Sequence, residues 1–190
     1  MRYSKDHKTE SRNKILSSAL KLFSHKGFDN VSIDEIMVDA GLTRGAFYAH
    51  FKTKQVLYSE AILYTFPSEK QKISSTIDRK TYLKKLVSDY LQVDYSNPDV
   101  LPCPLAYLVT DVANREPEVR SAYAGSFESL NLKIMHLMSG SDTDINEETI
   151  LAITSMMIGS VAISRTIPDA DKAKLLNACR KVVFRLINAQ

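Results

Sequence analysis

Residues Val31–Lys54 read VSIDEIMVDAGLTRGAFYAHFKTK, and the reading of this stretch decides the fold. Ser32 stands where an N-cap belongs, and Glu35 three residues later completes a capping box. Ile33, Ile36, Met37 and Ala40 then fall on one helical face. Gly41 follows where a left-handed residue ends a helix without a Cβ clash. Thr43 is expected to cap a second helix with its hydroxyl. That helix turns Arg44, Gly45 and Tyr48 to one side and buries Phe47 and Phe51 on the other. Two short helices about a tight glycine turn are the sequence form of a helix-turn-helix, whose second helix enters the DNA major groove by its N-terminal residues.

The outward residues carry the chemistry such a role needs. Thr43 lies beside the phosphate backbone or a base edge, and Arg44 is the candidate for a bidentate contact with guanine or for a phosphate contact. Gly45 removes a side chain where the helix must approach DNA closely. Tyr48, one turn on, offers its ring to a thymine methyl or its hydroxyl to a phosphate. His50 and Lys54 are phosphate candidates, the second at a helix start where backbone amides add to its charge. Ser32 and Lys52 are further phosphate candidates. A single recognition helix reads few base pairs, so a two-fold dimer on a palindrome is expected.

Together with the preceding segment from Arg12 to Phe28, this stretch resembles the TetR family of bacterial transcriptional regulators. The matching residues are Ile15, Ala19, Phe23, Gly27, Phe28, Ser32, Ile33, Ile36, Ala40, Gly41, Gly45, Phe47, Tyr48, His50, Phe51 and Lys54. The resemblance implies DNA contacts at Ser32, Thr43, Gly45, Tyr48, His50 and Lys54. It also implies a C-terminal helical domain with a ligand cavity and a dimer built from the last two helices. The function implied is that of a homodimeric repressor on a palindromic operator, released by a small-molecule effector. An activator or an architectural DNA-binding protein is the alternative.

Charge is distributed as a DNA-reading head requires. The first 54 of 190 residues carry ten Lys and Arg against six Asp and Glu, a net of +4, and the rest carries 15 against 16. A basic module on a near-neutral body suits phosphate binding at one end. No apolar run approaches the roughly 20 residues that span a bilayer, and the polar N-terminus is no signal peptide, so no membrane partner and a cytoplasmic location are expected. Cys103 and Cys179 fit no zinc spacing and no histidine pattern joins them, so neither metal nor cofactor is expected. The tail bearing Arg2, Lys5 and Lys8 is expected to be disordered, or to follow a minor groove as an arm.

Helical periodicity runs through the whole chain and no strand pattern appears, which makes the fold all-α. Nine helices are expected, at about 9–26, 33–40, 44–50, 54–66, 79–95, 104–114, 117–138, 147–165 and 169–188. Pro67 and Gly140 end two of them, Pro104 and Pro117 sit in first turns, and Asn146 and Asp169 are cap candidates. The domains expected are a helix-turn-helix head over 1–53 and a ligand-binding and dimerisation body over 54–190.

In the body, Ala152, Ser155, Gly159 and Ala162 form a small-residue stripe on the eighth helix. Leu175, Leu176, Cys179, Val183 and Leu186 form an apolar face on the last. A glycine inside a helix costs roughly 1 kcal/mol relative to alanine, so Gly159 needs a reason, and close approach of a second helix is one. These residues are the dimer candidates, with internal core as the other reading. The tyrosine- and methionine-rich middle supplies pocket candidates: Tyr64, Tyr90, Cys103, Tyr107, Tyr123 and Phe127. Cys103 stands in Leu-Pro-Cys-Pro-Leu, before a first-turn proline, where partial positive charge favours the thiolate. It is therefore expected to be the more reactive thiol and to face an electrophilic or oxidising effector, with Cys179 shielded. A small semi-buried turn residue is the plainer reading of Cys103. An enzyme with Cys103 as nucleophile and His136 as base is a remote alternative, because no Asp or Asn partner completes it.

Overall fold

The structure, a computed structural model, describes residues 5–64, 78–92, 101–139 and 146–189. The described residues form ten α-helices: α1 (Lys5–Lys26), α2 (Ile33–Asp39), α3 (Arg44–Tyr48), α4 (Lys54–Leu63), α5 (Arg79–Tyr90), α6 (Pro104–Tyr107), α7 (Val109–Val112), α8 (Pro117–Met138), α9 (Glu147–Ser164) and α10 (Asp169–Ala189). No strand occurs among the described residues. The chain forms two compact units: Met1–Pro67 with Leu101–Ser126, and Ser68–Val100 with Phe127–Gln190. In this packing α4 lies in the same unit as α1–α3.

The first unit is built around α1. Ile15, Leu16, Ala19, Leu20 and Phe23 are buried at helical spacing, and Ile36, Met37, Phe47, Phe51, Leu57, Tyr58 and Ile62 close over them. Burying each of the larger side chains contributes about 1.5–3 kcal/mol, which fixes three very short helices that have little stability of their own. Glycine ends two elements as the sequence requires. Gly27 (φ 77°) terminates α1 and Gly41 (φ 66°) terminates α2, both in the left-handed region. Ser32 caps α2 with the full reciprocal box: its hydroxyl accepts from the Glu35 N–H at 3.1 Å and its own N–H donates to Glu35 Oε2 at 2.8 Å. The hydrogen bond from the Ser32 backbone N–H, then that from the Lys26 ammonium, lowers the Glu35 carboxyl pKa to about 2. Thr53 caps α4 by accepting from the Val56 N–H at 3.1 Å.

In the second unit, α9 and α10 pack along each other and α10 also meets α5. Leu83, Val87, Ile134, Leu137, Ile150, Ile153, Met157, Val161, Val183 and Ile187 make its core. Asn146 caps α9, accepting from the Glu148 N–H. Among the described residues, α9 alone has the length and apolarity of a membrane-crossing helix; part of it is buried inside the protein, as in a core helix.

Three expectations change. The helix expected over 104–114 is two, because Leu108 takes φ −108° and ψ 3°, the bridge region, which breaks the α ladder between α6 and α7. α1 begins at Lys5, so Lys5 and Lys8 lie on a helix and not in a disordered tail. Asp169 is the first helical residue of α10 and not its cap. Pro67, Gly140 and Arg2 lie outside the described residues, as does the end of the helix expected to reach 95.

Candidate nucleic-acid interface

α3 is held from below and open above. Phe47 is wholly buried, and its ring meets the Tyr48 ring edge-on at 5.1 Å. Thr43, Arg44, Gly45 and Tyr48 are exposed, Tyr48 by 59%. Around Gly45 an added Cβ would come no nearer to any neighbour than 4.0 Å, from the Thr43 hydroxyl, so its missing side chain leaves an open approach to the helix backbone. Thr43 takes the extended backbone of an N-cap, but its hydroxyl makes no capping hydrogen bond; the expected cap is absent and the hydroxyl is not committed to the helix. The Arg44 guanidinium pairs with Asp34 at 2.7 Å across the turn between α2 and α3.

The flanking cations are less free than their sequence suggests. Lys54 donates to the Val31 carbonyl at 2.7 Å, and its ammonium sits 4.2 Å from the centre of the Phe28 ring. Burial lowers its pKa, Arg115 adds to the effect and Asp29 opposes it. It therefore fastens the loop before α2 as well as standing at the start of α4. His50 is half-buried beside Phe51, with no hydrogen-bond partner at Nδ1. Burial, then the charges of Lys8 and Arg12, push its pKa down and favour the neutral ring. The Ser32 hydroxyl is spent on the capping box, whereas Lys52 is exposed. Arg12 ties α1 to α4 through an ion pair with Glu60.

Sequence reasoning missed the polar cluster behind this surface. Asp111, in α7, accepts from the Tyr58 hydroxyl at 2.5 Å, from Arg115 Nη2 at 2.8 Å and Nε at 3.1 Å, and from the Phe28 N–H at 3.4 Å. Arg115 also grips Asp29 in a two-pronged pair at 2.7 and 3.1 Å, and its guanidinium lies 4.9 Å from the Phe28 ring centre. The turn between α1 and α2 is thus bound to α4 and α7 within the first unit. Only the Asp111–Arg115 spacing of four was visible in sequence; the other partners lie 53 to 86 residues apart along the chain.

The body candidates fall in both units. Tyr64, Cys103, Tyr107 and Tyr123 are in the first, Tyr90 and Phe127 in the second. The Tyr123 hydroxyl donates to the Leu105 carbonyl at 2.6 Å, and burial raises its pKa to about 12. Cys103 precedes α6 as expected and is 4% exposed, while Cys179 is half-exposed in the single protomer. Of the dimer candidates, Val183 is wholly buried and belongs to the protomer core. Ala152 and Ser155 are exposed; Gly159, Ala162, Leu175, Leu176, Cys179 and Leu186 are half-exposed. Beside them Ile163 and Val182 expose 51% and 41% of their surface.

Residues 15–61 match the family of bacterial regulatory proteins described as the tetR family. Over 59 residues the chain is 49% identical to the HTH-type transcriptional regulator AcrR of Shigella flexneri, which covers 31% of this chain and 27% of that one. Over 55 residues it is 31% identical to the biofilm operon icaADBC HTH-type negative transcriptional regulator IcaR of Staphylococcus aureus, covering 29% and 30%. The chain thus spans about a quarter to a third of the length of these curated relatives. The fold as a whole is similar to solved structures. A TetR-family transcriptional regulator from Cytophaga hutchinsonii superposes with a TM-score of 0.75 at 20% identity, covering 100% of this chain and 98% of that one. The reduced form of E. coli NemR gives 0.74 at 14% identity, covering 91% and 94%. The matched region lies in α1–α4 and is similar to the tetR family of bacterial regulatory proteins, and the fold along the chain is similar to that of the solved structures.

Proposed function

We propose that the protein is a transcriptional repressor that binds a palindromic duplex as a homodimer, through α3, and is released by a small-molecule effector bound in the body. The observation that carries this reading is the two-sidedness of α3: Phe47 anchors it, while Arg44, Gly45 and Tyr48 face outward without serving the core. The sense of regulation rests on the IcaR name, a negative transcriptional regulator. Residues 1–53 serve as the head and 54–190 as the body, acting in the cytoplasm where the DNA is. The tyrosines and Cys103 of the middle segment are the pocket candidates. Release is a population shift: an effector that binds the off-DNA arrangement more tightly draws the protein away from its site, with a coupling of roughly 1–3 kcal/mol.

Dimer formation is supported by the open side of Gly159. Among the described residues nothing lies within 4 Å of a Cβ added there, so they give no reason for a helix-weakening residue in mid-helix. A second copy laid against Ala152, Ser155, Gly159 and Ala162 does.

Tyr48→Ala and Lys54→Ala separate the two kinds of contact. Tyr48→Ala is expected to weaken binding to a duplex selected from a randomised pool by roughly tenfold, with little change on random DNA. Lys54→Ala is expected to weaken both and to lower the salt slope by about one. It should also lower the melting temperature, because the Val31 carbonyl loses its donor. Fluorescence titrations at several salt concentrations read all three quantities. An unchanged salt slope for Lys54→Ala would leave that residue a purely structural fastener. Equal losses on both DNAs for Tyr48→Ala would remove it from the groove.

A further inference from the structure

The acids of the head divide by what they hold. Glu10 pairs with Lys14 along α1, and Asp39 holds Ser18 and Lys21 of α1. Glu35 caps α2 and meets Lys26, and Asp29 holds Arg115. These acids brace a helix or fasten one segment of the head to another. Asp34, in α2, also reaches a second segment, but its partner stands on the exposed side of α3. Its partner is Arg44 Nη1, at 2.7 Å, and the two side chains are 57% and 63% exposed. Arg44 is the first residue of α3, beside the open backbone of Gly45 and on the face of Tyr48.

We infer that Asp34 is a specificity-determining residue that positions the Arg44 guanidinium for a guanine in the major groove. This rests on the DNA-binding reading above and deepens it. A guanidinium carries five N–H donors in a rigid fork. Asp34 engages one nitrogen, leaving donors on Nη2 and Nε for the O6 and N7 acceptors that only guanine presents together. The carboxylate restricts the long side chain before DNA arrives, so less conformational freedom is lost on binding. It also acts against the wrong partner. If Arg44 swings to a phosphate, Asp34 is left unpaired near the negative DNA backbone. One acid thus favours guanine and penalises non-specific contact, while lowering affinity for DNA in general.

The test is a selection from duplexes with a randomised interior, followed by titration of the selected duplex, its single-base-pair variants and random DNA. It uses wild type, Arg44→Ala, Asp34→Ala and Asp34→Asn. Wild type should prefer guanine at one position of each half-site by roughly tenfold, and Arg44→Ala should abolish that preference. Asp34→Ala should cut it to about threefold or less while random-DNA affinity rises. Asp34→Asn, which keeps an acceptor without the charge, should raise random-DNA affinity similarly yet keep more of the preference. Melting temperatures should stay close to wild type, since the pair is exposed. Full guanine preference in Asp34→Ala, with selected and random DNA strengthened equally, would overturn the inference and leave Asp34 as background charge. A wild type that enriches no sequence would overturn it together with the DNA-binding reading.

Discussion

Gly159→Leu is expected to give a folded, helical monomer that no longer binds the selected duplex. Among the described residues of the protomer an added Cβ at Gly159 meets nothing within 4 Å. Replacing a mid-helix glycine raises helix propensity by roughly 0.5–1 kcal/mol, so helical content and melting temperature should hold. Across a two-fold axis the leucine is inserted twice. Overpacking costs about 1–3 kcal/mol per site, so the dimer dissociation constant should rise by roughly 30-fold to 10⁴-fold. Cys179 supplies a second readout. It is half-exposed in the protomer, on α10, so a thiol reagent should label it slowly in the wild-type dimer and quickly in the variant. Sedimentation as a stable dimer, with slow labelling and unchanged affinity, would show that this face is not the interface.

Asp111→Ala is expected to destabilise the first unit by about 2–4 kcal/mol. The substitution removes one acceptor from the Tyr58 hydroxyl, the Phe28 N–H and Arg115 together. What remains is a mostly buried guanidinium held only by Asp29, at the edge of solvent. The same cluster gives wild-type stability a defined pH dependence. Burial alone would raise the Asp111 pKa, but the hydrogen bonds from Arg115 and Tyr58 outweigh it and the pKa is lowered. A carboxyl lowered in the folded state contributes stability that is present above its unfolded value, about 3.9, and is lost as pH falls below it. Tyr58 is raised, first by burial and then by Asp111, so its contribution holds below about pH 10 and is lost above. Denaturant midpoints across pH should decline at both ends in wild type. Asp111→Ala should flatten the acid limb, and an unchanged acid limb would contradict the assigned role.

The head was legible because its signals are local. Ser32 and Glu35 stand three apart, Gly41 marks a left-handed turn, and Phe47 and Phe51 repeat at helical spacing; none of these needs a distant partner. What escaped reading depends on residues far along the chain. Lys54 looks like a free cation until Val31 and Phe28 fold against it, and Arg115 gains its meaning only from Asp29. The break at Leu108 has no glycine or proline at that position to announce it. Accessibility escaped for the same reason. Cys103 is buried at the start of α6 and Cys179 half-exposed on α10 of the protomer, and Val183 differs from its neighbours on α10 only in which side of the helix meets the core.

The central claim is that two copies read a two-fold symmetric duplex through α3. A hydroxyl-radical footprint of the selected duplex, taken with a stoichiometric titration, tests it most directly. The account predicts two chains per duplex and two protected half-sites related by a dyad, their centres roughly one helical turn apart. Both should be lost when Gly159 becomes leucine. One chain protecting a single half-site, or uniform protection of the whole duplex without a sequence boundary, would contradict it.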